Sequence, residues 1–248
     1  MAPGMLRTPQ LELAVESAAG VRLAASVGAA RVELCAALAE TDGITPSIGT
    51  VEQACGVDLP VHVLVRPRPG SFRYNAEELE VLERDVVAAL GAGAAGVVVG
   101  MLADDGRPDV AALRRVSDVA RNHNPAAEVT FHRAFDAALA AGVDPADALA
   151  RLHDAGVSRV LTSGGSADCT AGLPMLARLV ELGRNHAPSL QIMAGGGVRL
   201  ELMSALVRSG VHAVHTSARN YDHFTGTRAH AADPLLAASM AAALSAGG

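Results

Sequence analysis

Tryptophan is absent from the 248 residues, and tyrosine and phenylalanine together number only six. A chain so poor in rings lacks the stacking platform on which single-stranded nucleic acids are held. No stretch is dense in basic residues and the net charge is −6, which argues against a surface for nucleic acid or anionic membrane. Cysteine is scarce as well. Cys35, Cys55 and Cys169 are odd in number, widely spaced and form no CxxC pair, so a disulfide framework is not expected and a reducing cytosol is. The opening MAPGMLRTPQ has no apolar core of a secretory signal. The uncharged GAGAAGVVVGMLA (91–103) is too short to cross a bilayer. These absences predict a soluble, cytoplasmic protein with neither nucleic-acid nor membrane partners.

Half of the residues are hydrophobic, enough for a sizeable core. Short β-branched runs alternate with amphipathic, alanine-rich stretches. The runs at 11–15, 31–35, 61–65, 96–100, 129–132, 159–163, 191–195 and 213–217 predict eight strands. The clearest helices are predicted at 76–93, 110–123, 144–156, 173–186 and 199–210, with Asp144-Pro145 as an N-cap and first-turn proline. Eight strands in 248 residues repeat about every 31, the size of one βα unit. No Gly-rich nucleotide fingerprint follows the first strand, and no linker-like tract divides the chain. The expectation is an α/β protein forming a single (β/α)8 TIM barrel over residues 1–248.

Chemistry in such a barrel sits where strands end and the following loops begin. Side chains alternate along a strand, so if Phe131 faces the surrounding helices, His132 faces the interior. The same parity turns Glu12, Glu33, Cys35, Arg66, His215 and Ser217 inward. Buried charges are costly unless paired, so one reading is a structural network with Arg66 bridging Glu12 and Glu33. The other is catalytic: His132 as general acid or base, with Glu33 and Glu12 as proton-exchanging partners. Arg66 and Arg68 in VRPRPG, and Arg133 beside His132, offer planar forks of donors for a carboxylate or phosphate. AGGGV (194–198) leads towards a predicted helix, so Gly195, Gly196 and Gly197 would hold an anion through backbone N–H groups. Ser163 in LTSGG, with His215 and Ser217 in HTSA, adds polar groups to that rim. Phe72, Tyr74, Phe131, Phe135, Tyr221 and Phe224 all fall at strands or mouth-side loops, as pocket walls or as seals of the loops. No HExxH, HxH or paired-cysteine motif is present. Cys35 alone offers a soft ligand near the mouth, for Cu(I), and Met101 and Met193 read as core filler.

At ARVELCAAL, TPSIG, VRPRPGSFRYN, VTFHRAFD, RVLTSGG and AGGGV the chain resembles the CutC family of copper homeostasis proteins, from about Leu11 to Ser217. The resemblance implies a TIM barrel, a cytosolic location, a role in copper binding and tolerance, and a homo-oligomer. It also implies a cysteine on the first strand as partner to Cys35, and that position holds Ala14 in LELAV. A two-thiolate Cu(I) site therefore cannot form from these strands. Two readings stand: a copper-handling protein using Cys35, and a barrel enzyme acting on a small anionic substrate, phosphorylated ones included.

Overall fold

The computed structural model describes residues 8–222, 227–228 and 231–247. Eight parallel strands close a barrel in sequence order: β1 (Gln10–Val15), β2 (Arg31–Leu34), β3 (Val61–Leu64), β4 (Gly96–Val99), β5 (Glu128–Phe131), β6 (Arg159–Thr162), β7 (Gln191–Gly195) and β8 (Ala213–Thr216). β1 closes the ring by pairing with both β2 and β8, so that Glu12 stands between Arg31 and His215. The (β/α)8 expectation holds, and each strand lies within one residue of the run that predicted it.

Period-two alternation sorts the strand residues into two environments. Leu11, Leu13, Val15, Val63, Val97, Phe131, Val160 and Val214 belong to one continuous apolar layer packed under the helices. Within the ring, apolar contact shrinks to two small groups, Cys35–Leu64–Val98 and Leu161–Met193–Ala213. Polar side chains fill much of the remainder. Phe131 and Phe135 are fully buried in the outer layer, which settles them as core and turns His132 inward.

The barrel is wrapped by α1 (Ala18–Ser26), α2 (Leu38–Thr41), α3 (Ile48–Cys55), α4 (Ala76–Gly91), α5 (Val110–His123), α6 (Ala134–Ala140), α7 (Pro145–Asp154), α8 (Cys169–His186), α9 (Met203–Ser209) and α10 (Pro234–Ala246). Local chemistry sets their starts. Asn75 and Glu78 form a reciprocal capping box at α4, and Asp144 accepts the Asp147 N–H ahead of Pro145 as expected. Two helix starts differ from the sequence reading. α8 begins at Cys169 because Asp168 caps it through the Ala171 N–H, which leaves Pro174 inside the helix. The segment predicted as one helix at 199–210 divides into a 3-10 turn, Leu200–Leu202, and then α9. β9 (Tyr221–Asp222) and β10 (Thr227–Arg228) form a small antiparallel pair outside the ring. Phe224 lies outside the described residues. Among those described, no helix is long and apolar enough to cross a membrane.

At the amino-terminal end of the ring the interior charges are paired with one another. Arg31 Nε meets Glu12 Oε2 at 2.5 Å, and its Nη1 donates to Gln10. Arg159 donates to Gln191, Thr130 and Glu128, and the last carboxylate also lies 3.4 Å from His62. The bridge expected between Arg66 and Glu12 is therefore not formed. Arg31, which stands opposite Glu12 in the parallel ladder, takes that role.

Candidate active site at the carboxyl ends of the strands

A cavity of about 1470 Å³ opens at the carboxyl ends of the strands, lined among others by Glu33, Arg66, Phe72, His132, His215 and Arg219. It is larger than an ordinary single-ligand pocket of roughly 300–1,000 Å³. The imidazole of His132, the guanidinium of Arg66 and the carboxylate of Glu33 thus share one space, as the strand parity implied.

His132 follows β5, and its position depends on a missing side chain. A Cβ at Gly100, after β4, would stand 2.1 Å from the His132 ring, so only glycine admits the imidazole there. The Phe72 ring packs against it at a centroid distance of 4.9 Å. Nδ1 accepts the Ala134 N–H at 3.0 Å, which places the proton of the neutral ring on Nε2. That atom is buried without a hydrogen-bond partner among the described residues. Burial, and secondarily the charge of Arg66, pull the His132 pKa down to about 3. The ring is a neutral donor at physiological pH.

Glu33, on β2, is 5 % exposed, and its Oε2 has no hydrogen-bond partner among the described residues. Burial raises its pKa to about 7; the charge of His215 opposes the rise and that of Glu12 adds to it. A carboxyl poised there can give or take a proton near neutrality. His215, on β8, bonds through Nδ1 to Glu12 Oε1 at 2.7 Å. Burial disfavours the imidazolium, but Glu33 and Glu12 together raise the His215 pKa. Burial also acts to raise Glu12, yet the His215 hydrogen bond and the charges of His215, Arg31 and His62 hold it well below the carboxylate range. Glu12 lies beneath the cavity as a permanent anion.

The arginines divide differently from the sequence reading. Arg66 spends its Nη atoms on the carbonyls of Thr41, Gly43 and Gly70. Its fork therefore clasps the loops after β2 and β3, and only Nε is left unpartnered. Arg68 turns away from the cavity to Glu78 and the Ser71 and Arg73 carbonyls, with Tyr74 beneath it. Arg133 does line the cavity. Its Nε donates to Asp136 at 2.8 Å and its Nη2 to Ser163 at 3.0 Å, and it crosses so close to Gly196 that a Cβ there would stand 2.9 Å from it. Ser163 is not free for a ligand, because its hydroxyl also donates to the Ser166 carbonyl. Asp136 organises this corner, accepting from Thr162, Ser163 and Gly165.

Gly195 lies deeper, against Leu161. Gly196 and Gly197 line the cavity with φ of 105° and 65°, but a 3-10 turn follows them, so the expected helix terminus is missing from this anion site. Ser217 lines the same wall. Sequence reasoning missed Arg219, just beyond the last motif. Its side chain is 3 % exposed and donates to Glu16, while Nε and Nη1 have no partner among the described residues.

Cys35 is fully buried and packs with Leu64, Val98 and Leu38. Its thiol donates to the Val15 carbonyl. Burial, then the charges of Glu33 and Glu16, drive its pKa far above the usual thiol value, so it is held as a thiol and not as a thiolate. With Ala14, opposite Glu33 on β1, supplying no second thiol, these residues do not fit a Cu(I) thiolate centre.

Fold and site together define a parallel (β/α)8 barrel with a polar, ligand-sized cavity at its carboxyl end. Residues 9–220 match the CutC family, and the chain belongs to that family. It is 42 % identical over 214 residues to a family protein CutC of Sodalis glossinidius, covering 86 % of this chain and 80 % of that one. It is 38 % identical over 248 residues to its counterpart in Agrobacterium fabrum, covering 95 % and 94 %. A solved CutC of Streptococcus agalactiae, provisionally assigned to copper homeostasis, superposes with a TM-score of 0.74 at 27 % identity over 84 % of this chain and 98 % of that one. A deoxyribose phosphate aldolase of Aeropyrum pernix, at 17 % identity and a TM-score of 0.61 over 85 % and 86 % of the two chains, shares the fold alone.

Proposed function

We propose that this CutC-family barrel is an enzyme that binds a small anionic molecule, possessing a carboxylate or phosphate, in the carboxyl-end cavity and moves a proton on it. One observation carries the reading: Glu33 Oε2, His132 Nε2 and two nitrogens of Arg219 are all buried at this cavity without partners among the described residues. Buried polar atoms are rarely left in that state, and a ligand that accepts from Nε2–H and from guanidinium, and exchanges a proton or hydrogen bond with Glu33, would satisfy them. Glu33 is the proton-transfer group. His132 serves as a fixed neutral donor that polarises a carbonyl or hydroxyl oxygen. Arg219 and Arg133 supply the charge for the anion. All 20 basic residues of the Lys and Arg types are arginines, so an imine on a lysine amine is not part of the chemistry.

The test is a thermal-shift and calorimetric screen of inorganic phosphate, sugar phosphates and small carboxylates, run well above the expected dissociation constant. Arg219→Ala and Arg133→Ala should weaken the binding of a hit, while Arg68→Ala should not. Glu33→Gln should keep the binding yet stop exchange of ligand C–H protons with deuterated solvent. Equal stabilisation of wild type and the Arg133→Ala/Arg219→Ala double variant would overturn the assignment.

The assignment of the Streptococcus relative favours a second reading, a part in copper homeostasis. If Cu(I) were held at Cys35, Cys35→Ala would abolish its stoichiometric binding; the buried thiol and Ala14 argue for no loss. A cytoplasmic homo-oligomer completes the proposal, following the family resemblance, and light scattering of the purified protein tests its subunit count.

A further inference from the structure

We propose that the cavity holds a divalent metal ion of the Zn²⁺ or Mn²⁺ kind, ligated by Glu33 Oε2 and His215 Nε2, with Glu12 fixing the imidazole from behind. Ligand atoms of Glu12, Glu33 and His215 lie within 4.8 Å of one another. A second observation points to a ligand independently: Glu33, 5 % exposed, turns an unpartnered carboxylate oxygen into the cavity. A cation is the partner such an oxygen lacks.

The division of labour follows from bonds already made. Glu12 Oε2 is taken by Arg31 and Oε1 by His215 Nδ1, so Glu12 orients and does not ligate. A carboxylate on one ring nitrogen is the usual support for an imidazole that binds metal through the other. Nε2 is the nitrogen left to His215, which shares the cavity wall with Glu33. One carboxylate oxygen and one imidazole suit a borderline divalent ion and are poor ligands for soft Cu(I). Only two protein ligands are provided, so the remaining positions open to the cavity, where waters or an anion complete them. No short motif announces the site because its ligands arrive from β2 and β8, brought together only by closure of the ring.

This inference rests on the anion reading for the cavity but makes Glu33 a ligand where that reading leaves it free, so the metal site can fail while the anion reading stands. The experiment is equilibrium dialysis and calorimetry with Zn²⁺ or Mn²⁺ alone, no anion added, on the full chain after chelator treatment. One ion per chain is expected. Affinity should fall at least tenfold in Glu33→Gln and in His215→Asn and stay unchanged in Cys35→Ser. Absence of stoichiometric binding, or full affinity in Glu33→Gln, would overturn the site. Should those variants lose their circular dichroism signature, wild-type protein decides: Mn²⁺ either broadens the His215 imidazole resonances selectively or leaves them sharp, and sharp lines refute the proposal. If metal fails but chelator-treated protein still binds phosphate or carboxylate, the anion reading stands alone.

Discussion

The two ends of one barrel interior treat charge in opposite ways. At the amino end Arg31, Glu12, Arg159, Glu128 and Gln191 form ion pairs and hydrogen bonds within the group, and among the described residues the one atom there without a partner is His62 Nδ1. At the carboxyl end Glu33, His132, Arg66 and Arg219 each leave a buried nitrogen or oxygen unpaired. Both ends draw on arginine, glutamate and histidine, and β2 supplies a charge to each, Arg31 below and Glu33 above. What differs is completion: the lower network is closed, so its charges hold the ring together, and the upper one is open, so its charges await something from outside. Similar residues thus serve structure at one end and binding at the other, and polarity alone does not tell the two apart.

Breaking the closed network should have the largest effect. Glu12→Ala leaves the Arg31 guanidinium buried without its anion, and an expected loss of about 3–5 kcal/mol is checked by urea denaturation. A result near zero would mean that the two ends do not differ as described.

The open end should show itself in pH dependence. Glu33 has its pKa raised from 4.5 to about 7, so the folded state holds its proton more tightly. Its contribution is complete below pH 4.5 and is lost as pH rises through 7, by roughly 3 kcal/mol. His132 is lowered from 6.5 to about 3, so its contribution is complete above pH 6.5 and lost as pH falls towards 3. Between 4.5 and 6.5 the two oppose each other and wild-type stability should be nearly flat. Glu33→Gln should expose a stability that climbs with pH there, and His132→Asn one that declines. Denaturation midpoints from pH 4 to 8 check both signs.

A smaller effect is expected at the Asp136 corner of the open end. Asp136→Asn removes the charge that gathers Thr162, Ser163 and Gly165, at a cost of about 2 kcal/mol. The amides of Ser163 and Gly165 should then exchange hydrogen faster than the β6 amides do. The smallest effect belongs to Arg68→Ala. Its partnership with Glu78 lies on the outside of the mouth, where ion pairs contribute little. Neither the urea midpoint nor anion binding should move resolvably, and a loss of anion binding would restore Arg68 to the site.

Most of the fold was legible because short β-branched runs recur about every 31 residues and glycine punctuates them. Asp144-Pro145 announced its helix through local chemistry. The start of α8 was misplaced because Pro174 resembles a first-turn proline, and only the Asp168 bond reveals the earlier cap. Within the site, parity alone placed Glu33, His132 and His215 inward. It could not say which donors of Arg66 were already spent, that Arg68 turns outward, or that Arg219 turns in. Those outcomes depend on where three loops run, and loop paths carry no periodicity.

The sequence by itself determined the ring, its closure by eight βα units and the inward face of each strand, because these follow from spacing along the chain. Tertiary structure alone decided which inward charges find partners. Pairing depends on residues far apart in sequence meeting across β1, β2 and β8, and on how many donors each side chain has left once the loops have taken theirs.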